Sequence, residues 1–172
     1  MSKIERILHY FPVVELPVII SEDHLSDYEN ANDTLPQAFI DEIMVEWEKE
    51  MDEFTEFIPC FRLPGEEKFE SLVYWKGSLL RYDFILITLD KSGNLINRKS
   101  IANTVIDDKI IKKSVASIEQ DLIINIIAGQ TYDGEEYDAS FSKAFSMEIL
   151  PTGEIIFCIG HYRLIDILLF LC

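Results

Sequence analysis

Glycine, histidine and cysteine are all scarce in this chain of 172 residues, which holds seven, three and three of them. Few glycines leave few loops whose backbone amides can close around a phosphate, and none stands in a GxGxxG or GxxxxGK arrangement. His9, His24 and His161 lie in no HExxH or HxH setting, and no cysteine stands within a few residues of another. A zinc site would therefore need a purely tertiary assembly. There is no GxSxG elbow, and Cys60 (in FIPCFRL) and Cys158 (in IIFCIG) sit among apolar residues that raise a thiol's pKa and leave it inert. These absences disfavour the common nucleotide-binding, zinc-dependent and nucleophilic enzyme classes. No catalytic residue, metal or cofactor is assigned, and a non-enzymatic role is the expectation.

Positive charge is also short. Fifteen Lys and Arg face 31 Asp and Glu, a formal charge of −16. Residues 1–60 hold 15 acids against 3 bases, a net −12, whereas 61–172 hold 16 against 12, a net −4. Such a surface repels phosphate backbones and anionic lipid, so nucleic acid and membrane are not expected as partners, and a basic protein is.

A long apolar run is missing too. The segment HYRLIDILLFLC, residues 161–172, is shorter than the about 20 apolar residues a membrane helix needs, and a span of that length would have to include His161, Arg163 and Asp166. Ile165, Leu168, Leu169 and Cys172 fall at helical spacing. The segment is expected to close the open face of a sheet, or else to dock on a second copy of the chain. Charges at Lys3, Glu5 and Arg6, followed by Pro12, argue against a secretory signal, so reduced thiols and a cytoplasmic location are expected.

What is present is first a helical N-terminal third. Ser2 and Glu5 form a capping-box start for a short helix with Ile4, Ile7, Leu8 and Phe11 on one side. VVELPVII reads as extended, and Ser21–Thr34 as an acidic loop with at most one helical turn. A second helix begins at Pro36, with Phe39, Ile40, Ile43, Met44 and Trp47 as its apolar stripe, Asp41, Glu42, Glu46 and Glu48 on other faces, and Met51 and Phe54 as an extension.

From Glu56 the period changes to alternation. Strands are expected over 56–62, 69–76, 80–89, 95–103, 109–117, 121–128, 140–149 and 154–160, joined by short polar connections such as DKSGN and PTG. Short connections make consecutive strands antiparallel neighbours. The expected fold is thus α+β: an antiparallel meander of about eight strands, curled or partly barrelled, with N-terminal helices packed on it. Residues 1–172 are expected as one domain: an acidic helical segment (1–55), the meander (56–160) and the apolar tail (161–172). Strands 80–89 and 121–128, apolar on both faces, should be covered on both sides.

Two constellations could bind something. Tyr74, Trp75 and Tyr82 beside Arg81 resemble a stacking platform for a small ligand, against which stands ordinary cross-strand packing. Asp133, Glu135, Glu136 and Asp138 gather carboxylates as calcium loops do, without the EF-hand order, so a solvated connection is the main reading. Two functions follow as expectations: an inhibitor-like or immunity-like protein covering a basic partner, or a small-molecule binding domain or hydrolase with a cavity in the curled sheet.

Overall fold

The computed structural model describes residues 1–132 and 141–158. Both the carboxylate segment around Asp133–Asp138 and the tail 161–172 lie outside the described residues.

Eight antiparallel strands follow one another in sheet order: β2 (Glu56–Arg62), β3 (Phe69–Ser78), β4 (Arg81–Asp90), β5 (Leu95–Asp107), β6 (Ile110–Ile118), β7 (Ile123–Tyr132), β8 (Lys143–Ile149) and β9 (Ile155–Phe157). A ninth, β1 (Val18–Ile20), lies antiparallel on β6. The protein is α+β, and the meander is open. Each expected strand is present at nearly its expected position. Register shifts at Pro59/Phe61 in β2 and at Phe84/Ile85 in β4 bend the sheet, as bulges do. Pro59 is tolerated because β2 is an edge strand, and the chain at Pro12–Val14 covers that edge by bonding both backbone groups of Arg62.

Short helices fill the N-terminal part. α1 (Lys3–Leu8) starts with the expected capping box: the Ser2 hydroxyl accepts from the Glu5 amide at 3.3 Å while the Ser2 amide donates to the Glu5 carboxylate at 2.7 Å. Those bonds hold the Glu5 carboxyl below its ordinary pKa. Residues 21–34 are more helical than expected. A 3-10 turn over Glu22–His24 leads into α2 (Leu25–Ala31), because Leu25 and Tyr28, three apart, are partly buried against the sheet. Tyr28 meets Phe61 and Phe84 at ring separations of 5.7 and 6.3 Å. Asn32 then ties this element to β2, donating to the carbonyls of Pro59 and Cys60.

The next helical stretch consists of α3 (Gln37–Phe39), a π turn (Ile40–Met44) and α4 (Val45–Trp47). Pro36 is its cap rather than its first residue, and the helix stops at Trp47, short of Met51 and Phe54.

Two apolar cores share strands β3 and β4. On one face Leu72, Tyr74, Ile85, Ile87 and Leu89 meet Ile7, Phe11, Phe39, Ile43, Met44 and Trp47 of the helices. On the other, Val73, Trp75, Phe84 and Leu86 meet Ile101, Ile118, Ile124, Ile126, Met147 and Ile149 across the curl. Burial of each large side chain contributes about 1.5–3 kcal/mol, and β3 and β4 gain it on both faces. Segment 121–128 behaves differently from expectation. Ile124 and Ile126 are buried, but Ile127 is 55% exposed and its cross-strand neighbour Val115 is exposed as well. Among the described residues the helices pack on β2 to β5, and they leave the Ile127 face of β7 uncovered.

Candidate functional site

The end of α4 positions a buried carboxylate, that of Glu48. Trp47 is buried and stacks on Tyr74, with ring centroids 5.9 Å apart. The Glu48 amide closes the helix on the Met44 carbonyl at 2.8 Å, and the Glu48 backbone then turns extended (φ −115°, ψ 120°). Its carboxylate swings inward, not onto an outer face as its place beside the apolar stripe suggests. There Tyr74 donates to Oε1 at 2.6 Å, Arg98 Nε and Nη2 donate to the same oxygen at 2.8 and 2.5 Å, and Lys76 Nζ donates to Oε2 at 2.6 Å. A carboxylate at a helix C-terminus opposes the helix dipole, and two cations are what make this position tenable. Burial first, and the Glu48 carboxylate second, push the Tyr74 phenol well above its usual pKa, so it stays neutral.

Lys76 and Arg98 also line an open cleft of about 620 Å³ between the stretch Lys49–Thr55 and the ends of β3, β4 and β5. Further along it Arg81 grips Asp83 through Nε and Nη2 at 2.7 and 3.1 Å, and Ser100 donates to the same carboxylate at 2.7 Å. Asp52 folds the opposite wall by accepting from the Phe54 amide and the Thr55 hydroxyl.

The lip of the cleft is apolar and strained. β3 and β4 pair up to Ser78 and Arg81, so Leu79 and Leu80 alone make the turn. Leu79 is 75% exposed and Leu80 51%, and Leu80 sits in the left-handed region (φ +61°). That conformation costs a side-chain-bearing residue about 1–2 kcal/mol and favours glycine or asparagine. Leu122 adopts a similar conformation (φ +64°) but packs against the core. The Leu80 carbonyl accepts from the Ile106 amide at 2.9 Å, a bond any residue could make, and its side chain has no such reason to be there. Phe54, between the lining residues Asp52 and Thr55, is 66% exposed.

The four aromatic and basic residues singled out from sequence divide between the two faces. Arg81 lies in the cleft, and Tyr74 is buried beneath it among the helices. Trp75 and Tyr82 point the other way, stacked with centroids 5.8 Å apart and planes 9° apart. The space beside that stack is about 10 Å³, room for one water at most and not for a ligand. Glu48, Arg98, Asp83 and the Leu79–Leu80 turn went unrecognised. The one sequence signal for the turn is two leucines where a two-residue hairpin normally carries Asn-Gly or a relative.

The thiol of Cys60 is pushed up by burial, partly offset by a backbone hydrogen bond from Trp75. Among the described residues no three His, Cys, Asp or Glu side chains are grouped as metal ligands, and no helix is long and apolar enough to cross a membrane. No protein-family model, curated protein or solved structure matches the chain.

Proposed function

We propose that this protein is a non-enzymatic interaction domain that binds a basic protein partner, in the manner of an inhibitor or immunity-type cover. Its contact surface is the Leu79–Leu80 turn together with the acidic stretch 46–56. The observation that carries this reading is the turn itself: two exposed leucines, the second in a conformation that costs free energy to hold and does nothing for the core. Strain and exposed apolar area together are features of a surface maintained for contact. Within 49–56 the exposed acids Glu50, Asp52, Glu53 and Glu56 stand against Lys49, with Met51 and Phe54 exposed among them. Apolar anchors within a charged rim suit a partner carrying Lys and Arg around an apolar pocket.

Capture from lysate of the native cell with the wild-type chain and with Leu79→Asp tests the reading. A basic protein retained at low salt by the wild type, and lost either at high salt or with the variant, is the expected result. Equal retention by both chains contradicts it.

The cleft volume supports a second reading, since about 620 Å³ lies within the range of ligand pockets. A small polar ligand would then sit between the Lys49–Thr55 wall and β3–β5, and not inside the curl where Trp75 and Tyr82 stack.

A further inference from the structure

We propose that the floor of the cleft, where Lys76 and Arg98 share the single carboxylate of Glu48, is a binding site for a ligand carboxylate. Lys76 and Arg98 bring two positive charges and Glu48 one negative, while Tyr74 stays neutral, so the three charged groups in contact there carry one net positive charge. Beside it Arg81 is paired with Asp83. Lys76 is only 12% exposed along its side chain, so water compensates this surplus poorly. An anion entering the cleft does so better.

Donors remain to receive it. Lys76 uses two of its three N–H groups, on Glu48 and on the Glu50 carbonyl. Arg98 spends Nε and Nη2 on Glu48 and makes no hydrogen bond through Nη1 among the described residues. An ammonium N–H and a guanidinium edge flanking one carboxylate are the donors that a second carboxylate accepts. Charge decides between carboxylate and phosphate. A surplus of one is neutralised by a carboxylate, whereas a phosphate dianion overshoots it and faces Glu50 and Asp52 across the same cleft. Those acids favour a ligand whose carboxylate lies close to a cationic group. Two sources fit: a free amino-acid-like molecule, or the chain terminus of a basic peptide.

Calorimetric titration of the full chain with matched probes tests this and requires no protein partner, so its failure is separable from failure of the interaction reading. The first pair is L-arginine and agmatine, which lacks the carboxylate. The second is a short Lys/Arg peptide with a free or an amidated C-terminus, and inorganic phosphate is the fifth probe. The expected result is about ten-fold or greater preference for the carboxylate in at least one pair. Preference in the peptide pair alone assigns the site to a chain terminus, and preference in the arginine pair shows that a free small molecule suffices. Lys76→Met and Arg98→Gln should each abolish the preference while near-ultraviolet circular dichroism reports an intact fold. No preference in either pair, phosphate binding at least as tightly, or a preference that survives both variants overturns the proposal. The wild-type comparisons decide even if a variant fails to fold.

Discussion

Tyr74 donates its phenolic hydrogen to Glu48 at 2.6 Å, and through that bond the floor of the cleft is tied to the core beneath it. Tyr74 belongs to the apolar layer between the helices and β3–β4, whereas the partners of Glu48 reach the open cleft. Glu48→Gln leaves Lys76 and Arg98 facing each other without a counter-charge. We expect a loss of about 2–4 kcal/mol in urea unfolding, below the largest costs of breaking buried pairs because Arg98 is partly solvated. Tyr74→Phe removes one hydrogen bond to a charged acceptor and should cost about 1–3 kcal/mol. A Glu48→Gln protein as stable as the wild type would show that the cluster contributes nothing to the fold.

Stability should fall on the alkaline side. Burial, with smaller contributions from Cys60 and Asp27, raises the Tyr28 phenol to about 12, and Tyr74 and Cys60 are raised as well. All three hold their protons more tightly folded than unfolded. Their contribution is therefore complete below the ordinary thiol and phenol values and is lost as pH rises through the folded ones. Each fully shifted group removes about 1.4 kcal/mol per pH unit in that window, and half-buried Tyr28 removes less. The urea midpoint should hold between about pH 7 and pH 8.5 and drop above about pH 10, less steeply in Tyr28→Phe. A midpoint that stays constant to about pH 11 would contradict the assignment.

Gly77 is required by its neighbour. A Cβ there would stand 2.4 Å from the six-membered ring of Trp75, which is held in place by its stack on Tyr82. Gly77→Ala should displace the indole and cost about 1–3 kcal/mol, with a shift in tryptophan emission. Trp47 lies in the other core, so a Trp47→Phe background isolates the signal.

Leu80→Asn separates folding from contact. Asparagine tolerates the left-handed region and carries no entropic penalty of the glycine kind, so the variant should gain about 0.5–1 kcal/mol in stability. The same substitution should weaken partner binding, as happens where a site is kept at the expense of stability. Destabilisation by Leu80→Asn would mean that the leucine serves the fold.

The meander was legible because alternation and turn chemistry agree: in SFSKAFSMEIL, Met147 and Ile149 are buried and Phe145 packs beside them. α2 was not, because LSDYENA holds only Leu25 and Tyr28 as apolar contacts, and their burial depends on sheet residues such as Phe61 and Phe84, 33 and 56 positions beyond Tyr28. Exposure of Ile127 was hidden for the opposite reason. Its composition reads as two-sided burial, and only the reach of the helices decides which strands are covered. Glu48 lay in plain view as one acid among many. What sets it apart is a backbone turn after Trp47 and two cations from β3 and β5, neither of which has a local signature.

The interaction reading rests on acidic steering toward a basic partner combined with an apolar anchor at the β3–β4 turn. Stopped-flow association of the captured partner with the wild-type chain and with Leu79→Ser, from about 0.02 to about 0.5 M salt, measures both at once. The account predicts an association rate that falls about ten-fold or more across that range for both chains, and a dissociation rate raised in the variant alone. An association rate indifferent to salt, with equal dissociation of the two chains, would contradict it.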